Sequence, residues 1–190
     1  MLELLTEPAA EVMTSADPIL RAQLRLEEGE TEEDALIDAL AVSARMHVER
    51  YARIGLLPQT WRLTLGYWPA CALAFPRAPV RSVEAVRYTQ SDGSQAVLDP
   101  ADYELTKAGP TAGLAPAFGK SWPAIPHRGR VEIDFSLGYD DAAAIPAPIK
   151  QAIRLEVAHL FANREAVAQG GLAPIPLGVA DLLAPYRLFV

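Results

Sequence analysis

The sequence predicts an α+β protein: a small helical bundle drawn from both chain ends, an antiparallel β region inserted between them, and a carboxy-terminal arm. Three observations carry this prediction. Helical apolar spacing runs through the first 58 residues, disappears from Gln59 to Tyr139, and returns from Pro146. Most prolines and glycines lie from Gln59 onwards. Short alternating segments fill the middle, at the spacing of a compact antiparallel sheet or small sandwich. The expected organisation is residues 1–58 as amino-terminal helices, 59–139 as the β insertion, 140–170 as the long helix completing the bundle, and 171–190 as the arm with a short helix.

Thr14 or Ser15 can cap a short helix whose first turn holds Pro18 and which continues through Ile19, Leu20 and Leu24. Glu27-Glu-Gly-Glu30 then reads as an exposed acidic loop. Thr31 followed by Glu32, Glu33 and Asp34 reads as a cap plus acids at the positive end of a helix dipole. The helix predicted from about Glu32 to Arg53 has Ile37, Leu40, Ala41, Ala44, Val48, Tyr51 and Ala52 as its main stripe. Leu36 and Ile54 flank that stripe, so both flanks are expected to meet neighbours, and Gly55 and Pro58 to finish the helix. From Pro146 to Glu165 a second long helix carries Ile149, Ala152, Ile153, Val157, Leu160 and Phe161, with Gly170-Gly171 as its stop. Glu156 and Asn163 interrupt its apolar face, and the expectation is that they pair with Arg45 or Arg50 of the first long helix, or else face a ring neighbour. Val179 to Leu183 reads as a short final helix.

In the β region, Trp61, Leu63 and Leu65 alternate with Arg62 and Thr64. Ala72 to Phe75 is a short partner, with Cys71 as a small strand hydrophobe. Val83 to Thr89 and Gln95 to Leu98 flank Ser91-Asp92-Gly93, the strongest hairpin signal in the chain. Tyr103 to Thr106 and Gly113 to Ala115 add two strands. Arg130 to Leu137 is the cleanest, with Val131, Ile133, Phe135 and Leu137 on one face and Glu132, Asp134 and Ser136 on a solvated one.

Composition narrows the function. A net charge of −7 over 190 residues argues against a general nucleic-acid surface, and the arginines at 45, 50, 53, 77, 81 and 87 read as salt-bridged faces, with weak DNA binding through them as the alternative. One cysteine excludes an intramolecular disulfide. The acidic amino terminus is not a secretory signal, and no apolar run approaches the roughly 20 residues needed to cross a bilayer. A soluble protein of a reducing compartment, without a cofactor, is expected. Signals for catalysis are poor. His47 and His159 read as packing or surface residues and His127 as a solvated loop residue. Asp134, Asp140 and Asp141 could be assembled into the carboxylate cluster of a metal-dependent hydrolase, although a polar strand face and a turn explain them better. Interaction signals are stronger. Leu188-Phe189-Val190 leaves an apolar chain end that either folds back or docks, and the loops around Trp68, Trp122 and Pro174 to Pro176 either cap the sheet or act as contact arms.

Gathered in order, Glu33-Asp-Ala-Leu-Ile37, Ala44-Arg45, Gln59-Thr-Trp-Arg-Leu63, Pro79-Val-Arg-Ser-Val83, Ser91-Asp-Gly93 and Gly119-Lys-Ser-Trp-Pro123 make a recognisable series. It closes with Gly138-Tyr139, Pro146-Ala-Pro-Ile-Lys150, Asn163-Arg-Glu165, Pro176-Leu-Gly178 and Leu183-Ala-Pro-Tyr-Arg187. Their order and spacing over nearly the whole chain resemble the head–tail connector (adaptor) proteins of tailed bacteriophages, including those of prophages and gene transfer agents. The exit of the first long helix, Arg53-Ile-Gly-Leu-Leu-Pro58, departs from the Thr-Gly-Arg-like turn of that family. The resemblance implies a non-enzymatic virion protein, assembled in the host cytoplasm, that forms a ring of about twelve copies beneath a portal protein through heterologous contacts. It implies a lumen through which DNA passes without specific binding, no membrane partner, and a docking surface for a downstream neck, stopper or tail-completion protein. It also implies that the carboxy-terminal segment, Leu182, Leu183, Tyr186, Arg187, Leu188, Phe189 and Val190, reaches the portal.

Overall fold

Secondary structure in this computed structural model follows the chain's change of period, and residues 1–27, 29–70, 72–106, 111–163 and 177–189 are described. Two units result. A helical unit comprises Ala10–Leu57 and Tyr139–Arg187; a sheet unit comprises Met1–Ala9, Pro58–Gly138 and Leu188–Val190. The mixed α+β class read from the sequence is the observed one.

In the helical unit, α1 (Pro18–Leu24) begins at Asp17, whose side chain accepts the backbone N–H groups of Ile19 and Leu20. The cap is therefore Asp17 and not Thr14 or Ser15. Asp17 sits directly before Pro18, whose fixed φ suits the first helical position, so the extended residue preceding the proline takes the capping role. Helix α2 (Asp34–Ala52) starts two residues later than expected and has no side-chain cap. Thr31 instead closes a turn through its carbonyl, which accepts the Asp34 N–H. The helix ends at Arg53, as expected, and Arg53 itself takes the left-handed position at φ 57°. Helix α3 (Ala147–Ala162) follows Pro146 and carries Pro148 in its first turn, where a missing N–H is harmless. Its expected extension to Glu165 and its Gly170-Gly171 stop lie outside the described residues. Helix α4 (Leu177–Leu183) runs into a 3-10 turn at Ala184–Tyr186.

These helices bury one core, in which Leu20, Ile37, Ala44, Val48, Ile149, Ile153, Val157 and Leu183 lose essentially all contact with solvent. Each of the Leu, Ile and Val side chains among them is worth about 1.5–3 kcal/mol of burial. The two flanks of α2 differ from expectation: Ile54 is buried, but Leu36 is 37% exposed and Met46 58% exposed. One side of α2 faces solvent.

The sheet unit has two antiparallel sheets. Strand β8 (Val131–Leu137) is the centre of the larger one, with β2 (Gln59–Leu65) on one side and β4 (Val80–Thr89) on the other. Its edges are β1 (Leu2–Thr6), paired with β2, and the short β5 (Gln95–Val97), joined to β4 by the expected hairpin. Gly93 supplies the positive φ that this turn requires. The smaller sheet has the order β3 (Leu73–Ala74), β7 (Gly113–Pro116), β6 (Tyr103–Thr106). Val131, Ile133, Phe135 and Leu137 of β8 share a core with Phe75, Leu98 and Leu114, and the Phe75 and Phe135 rings lie 4.7 Å apart and tilted. Strand β1 has no counterpart in the sequence reading. Leu-Glu-Leu-Leu-Thr does not alternate throughout, and four of its five residues are exposed, so backbone pairing to β2 specifies it, with Leu2 packed against the sheet core. Cys71, expected in a strand, lies outside the described residues.

Candidate assembly surfaces and buried polar centres

Buried polar groups separate internal structure from surface available to partners. Asp134 lies at the middle of β8 and is only 7% exposed, so its strand face is not a solvated one. Register explains this. Arg62 of β2 stands directly opposite Asp134, while Arg87 of β4 stands opposite Glu132 and reaches diagonally. Arg62 donates to both carboxylate oxygens, at 2.7 and 2.9 Å, and Arg87 donates to one at 2.6 Å. The Arg62 hydrogen bond, outweighing partial burial and joined by Arg87, holds the Asp134 carboxyl below its ordinary pKa of 3.8. A carboxylate saturated by two guanidinium groups has little left to offer a metal ion. Asp141 closes its own turn by accepting the Ala144 N–H at 2.8 Å. Among the described residues, no group of three or more His, Cys, Asp or Glu is placed to hold a metal.

In the helical unit Arg45 and Glu156 are both buried, but they do not meet. Arg45 is held by Glu11, at 2.6 and 3.1 Å, and by Glu49 at 2.8 Å. Burial opposes its charge, yet Glu11 and Glu49 together raise its pKa above the ordinary value. Glu49 also accepts the Leu56 N–H, tying the exit of α2 back onto the helix. Glu156 finds His47 instead, with Oε1 2.8 Å from Nδ1, while its Oε2 is buried with no hydrogen-bond partner among the described residues. Asn163 turns back onto its own helix, donating to the His159 carbonyl at 2.8 Å, and Arg50 is exposed. The expected pairing of Glu156 and Asn163 with Arg45 or Arg50 is thus replaced by Glu156–His47 and a helix-end contact. His127 is exposed, as its loop suggests.

The tryptophan loops cap the sheet. Trp68 and Trp122 stack with centroids 4.4 Å apart and nearly parallel planes, and Trp68 tilts against Tyr88 of β4. The loop at Pro174 to Pro176 lies outside the described residues.

Exposed apolar groups mark the surfaces that remain. The carboxy-terminal segment divides by burial. Leu183 is fully buried, Leu182 and Tyr186 are half-buried against the helical core, and Leu188 is buried. The Arg187 guanidinium lies over the Tyr51 ring at 4.8 Å, Phe189 is 78% exposed, and Val190 lies outside the described residues. The most prominent group was not singled out in the sequence. Phe118 is fully exposed, at the tip of a turn in which the Lys120 N–H bonds the Ala117 carbonyl and Gly119 takes φ 75°. A 3.0 Å ion pair from Lys120 to Asp102, and the Ala117 N–H on the Asp102 carbonyl, anchor that turn. Its signal was available: a Phe-Gly pair in a loop with no apolar periodicity around it.

Neither a family model nor a curated protein matches the sequence. Solved structures do. A chain from the neck of an empty gene transfer agent particle, computed with C6 symmetry, superposes with a TM-score of 0.81 at 28% identity, over 100% of this chain and 96% of that one. The chain is built like a neck protein. A chain of the native gene transfer agent virion gives 0.80 at 29% identity, with the same coverage. One from the neck of the native particle, computed with C12 symmetry, gives 0.72 at 26% identity, over 98% of this chain and 96% of that one. The resemblance to head–tail connectors read from the sequence therefore holds in three dimensions.

Proposed function

We propose that this chain is a structural connector in the neck of a phage-like particle, an adaptor that forms a ring beneath the portal protein and gives the next neck or tail protein its docking surface. The observation that carries the proposal is the end-to-end likeness to a neck chain, at a TM-score of 0.81 with almost none of either chain left over. A ring is in keeping with the C6 and C12 symmetry of the neighbours' particles. The formal charge of −7 suits a lumen that lets DNA slide, since an acidic wall gains nothing from releasing phosphate counterions. A virion location and a non-enzymatic role follow from the same reading, and assembly takes place in the host cytoplasm.

Of the carboxy-terminal residues, Arg187 and Phe189 are the ones that present surface to a portal, because Leu183 and Leu188 are already buried. Phe118, on its anchored turn, is suited to a neighbour or to the downstream protein, since an exposed aromatic offers a large apolar area to a partner's pocket. The test is reconstitution with the cognate portal protein. Rings that co-sediment with the portal, and that are lost when the chain is ended after Leu188, support the proposal. Absence of any co-sedimenting ring counts against it.

A further inference from the structure

Helix α2 has a second stripe opposite its buried one. Leu36, Ala39, Ser43 and Met46 are all exposed, at alternating spacings of three and four residues, and between Leu36 and Met46 every exposed residue is uncharged. This is the a/d pattern of a helix that packs against another helix. Ala39 and Ser43 are small enough for close approach. The Ser43 hydroxyl already donates to the Ala39 carbonyl of its own helix at 3.0 Å, so covering it strands no polar group. Exposed Arg50 continues the same face at its carboxy-terminal end, and exposed Glu32 lies in the turn leading into α2 at the other.

The positions are symmetric about the level of Ala41. Laid antiparallel against a second copy of itself, Leu36 stands opposite Met46, Ala39 opposite Ser43, and Glu32 opposite Arg50, each pair occurring twice. A parallel arrangement would set Glu32 against Glu32 and Arg50 against Arg50. We infer that the outer face of α2 is a self-association surface, and that a second copy of this chain covers it as an antiparallel, twofold pair before assembly.

Such a pair is isologous and closed, so it cannot itself propagate a ring. It shields an apolar helix face on the free subunit and is given up when the subunit joins a larger structure. A contact about three helical turns long falls below the roughly 1,200 Å² of a stable complex, so association is weak and reversible. The charged ends set orientation more than affinity.

Sedimentation equilibrium of the full-length chain alone, over a rising concentration series, reads the pairing directly and needs no portal, so its failure and the failure of the neck reading are distinct. A concentration-dependent monomer–dimer equilibrium is expected. Ser43→Glu, at an exposed site that leaves the fold intact, should abolish it. Arg50→Glu should weaken it several-fold, and adding Glu32→Arg should restore it. For orientation, Leu36→Cys and Met46→Cys are made separately in a Cys71→Ser background. Disulfide dimers that form only when the two variants are mixed support the antiparallel pair. A monomer at every concentration overturns the inference and leaves the stripe to a different protein; disulfides within each single variant overturn it in favour of a parallel contact.

Discussion

Both units of this molecule bury carboxylates, and Asp134 and Glu156 are treated very differently. Asp134 in the sheet unit accepts three hydrogen bonds from two arginines, one on each flanking strand. Glu156 in the helical unit has one partner, a half-exposed His47, and one oxygen with none among the described residues. The difference lies in the geometry of the elements. A central strand has a neighbour on both sides, and register places opposite and diagonal residues within reach. A helix offers neighbours along its own face and whatever the facing helix brings: Glu49 finds Arg45 one turn away and the Leu56 N–H, whereas Glu156 finds only His47. The sheet unit therefore holds its central charge as a closed arrangement, whereas the helical unit distributes its charges among separate local jobs.

The largest effect expected from breaking this contrast is on the opposite face of the same strand. Phe135→Ala should cost about 3–5 kcal/mol in chemical denaturation, since it empties a fully buried site against Phe75. Next comes Asp134→Ala. It leaves two arginines facing each other and should cost about 2 kcal/mol, reduced from the fully buried case because both guanidinium groups keep some solvent. Asp134 also sets an acid signature. Its carboxyl pKa lies below the ordinary 3.8, so its stabilisation is complete above that value and is lost as pH falls further. An Asp134→Asn chain should be less stable than the parent at pH 7, and the gap should close on acidification below pH 3.8. Asp17→Ala removes the α1 cap and its 3.1 Å contact with Arg154, for about 1 kcal/mol. Burial pushes the Asp17 carboxyl up, but the Leu20 N–H and Arg154 outweigh it and hold it low, so its contribution fades in the same acid direction. Glu156→Gln should cost less than Asp134→Asn, since one of its oxygens has no hydrogen bond to lose; the reverse order would show that the single His47 contact matters more than the geometry implies. The smallest effect is at Phe118, where Ser should change stability by less than about 0.5 kcal/mol while weakening assembly.

The sequence made most of the strands legible because their signals are local. Alternation in β2 and β8, and Ser91-Asp92-Gly93 between β4 and β5, need no knowledge of neighbours. What it could not supply was register. Alternation shows that Asp134 shares a face with Glu132 and Ser136, but only pairing with β2 and β4 shows that two arginines cover it. Strand β1 was invisible for a related reason, since its main specification is backbone pairing to β2 and not an apolar face. The long helices were legible through their buried stripes. Their polar partners were not, because Glu156 and Arg45 each had several helix-borne candidates and periodicity does not rank them. At the carboxy terminus the apolar run Leu188-Phe189 looked uniform, yet one residue is buried and the next exposed.

The neck reading is tested most directly by electron microscopy of particles from cells that lack this chain. Capsids and tails are expected to accumulate separately, with joining restored by the full-length chain. Tailed particles in normal numbers without the chain would contradict it.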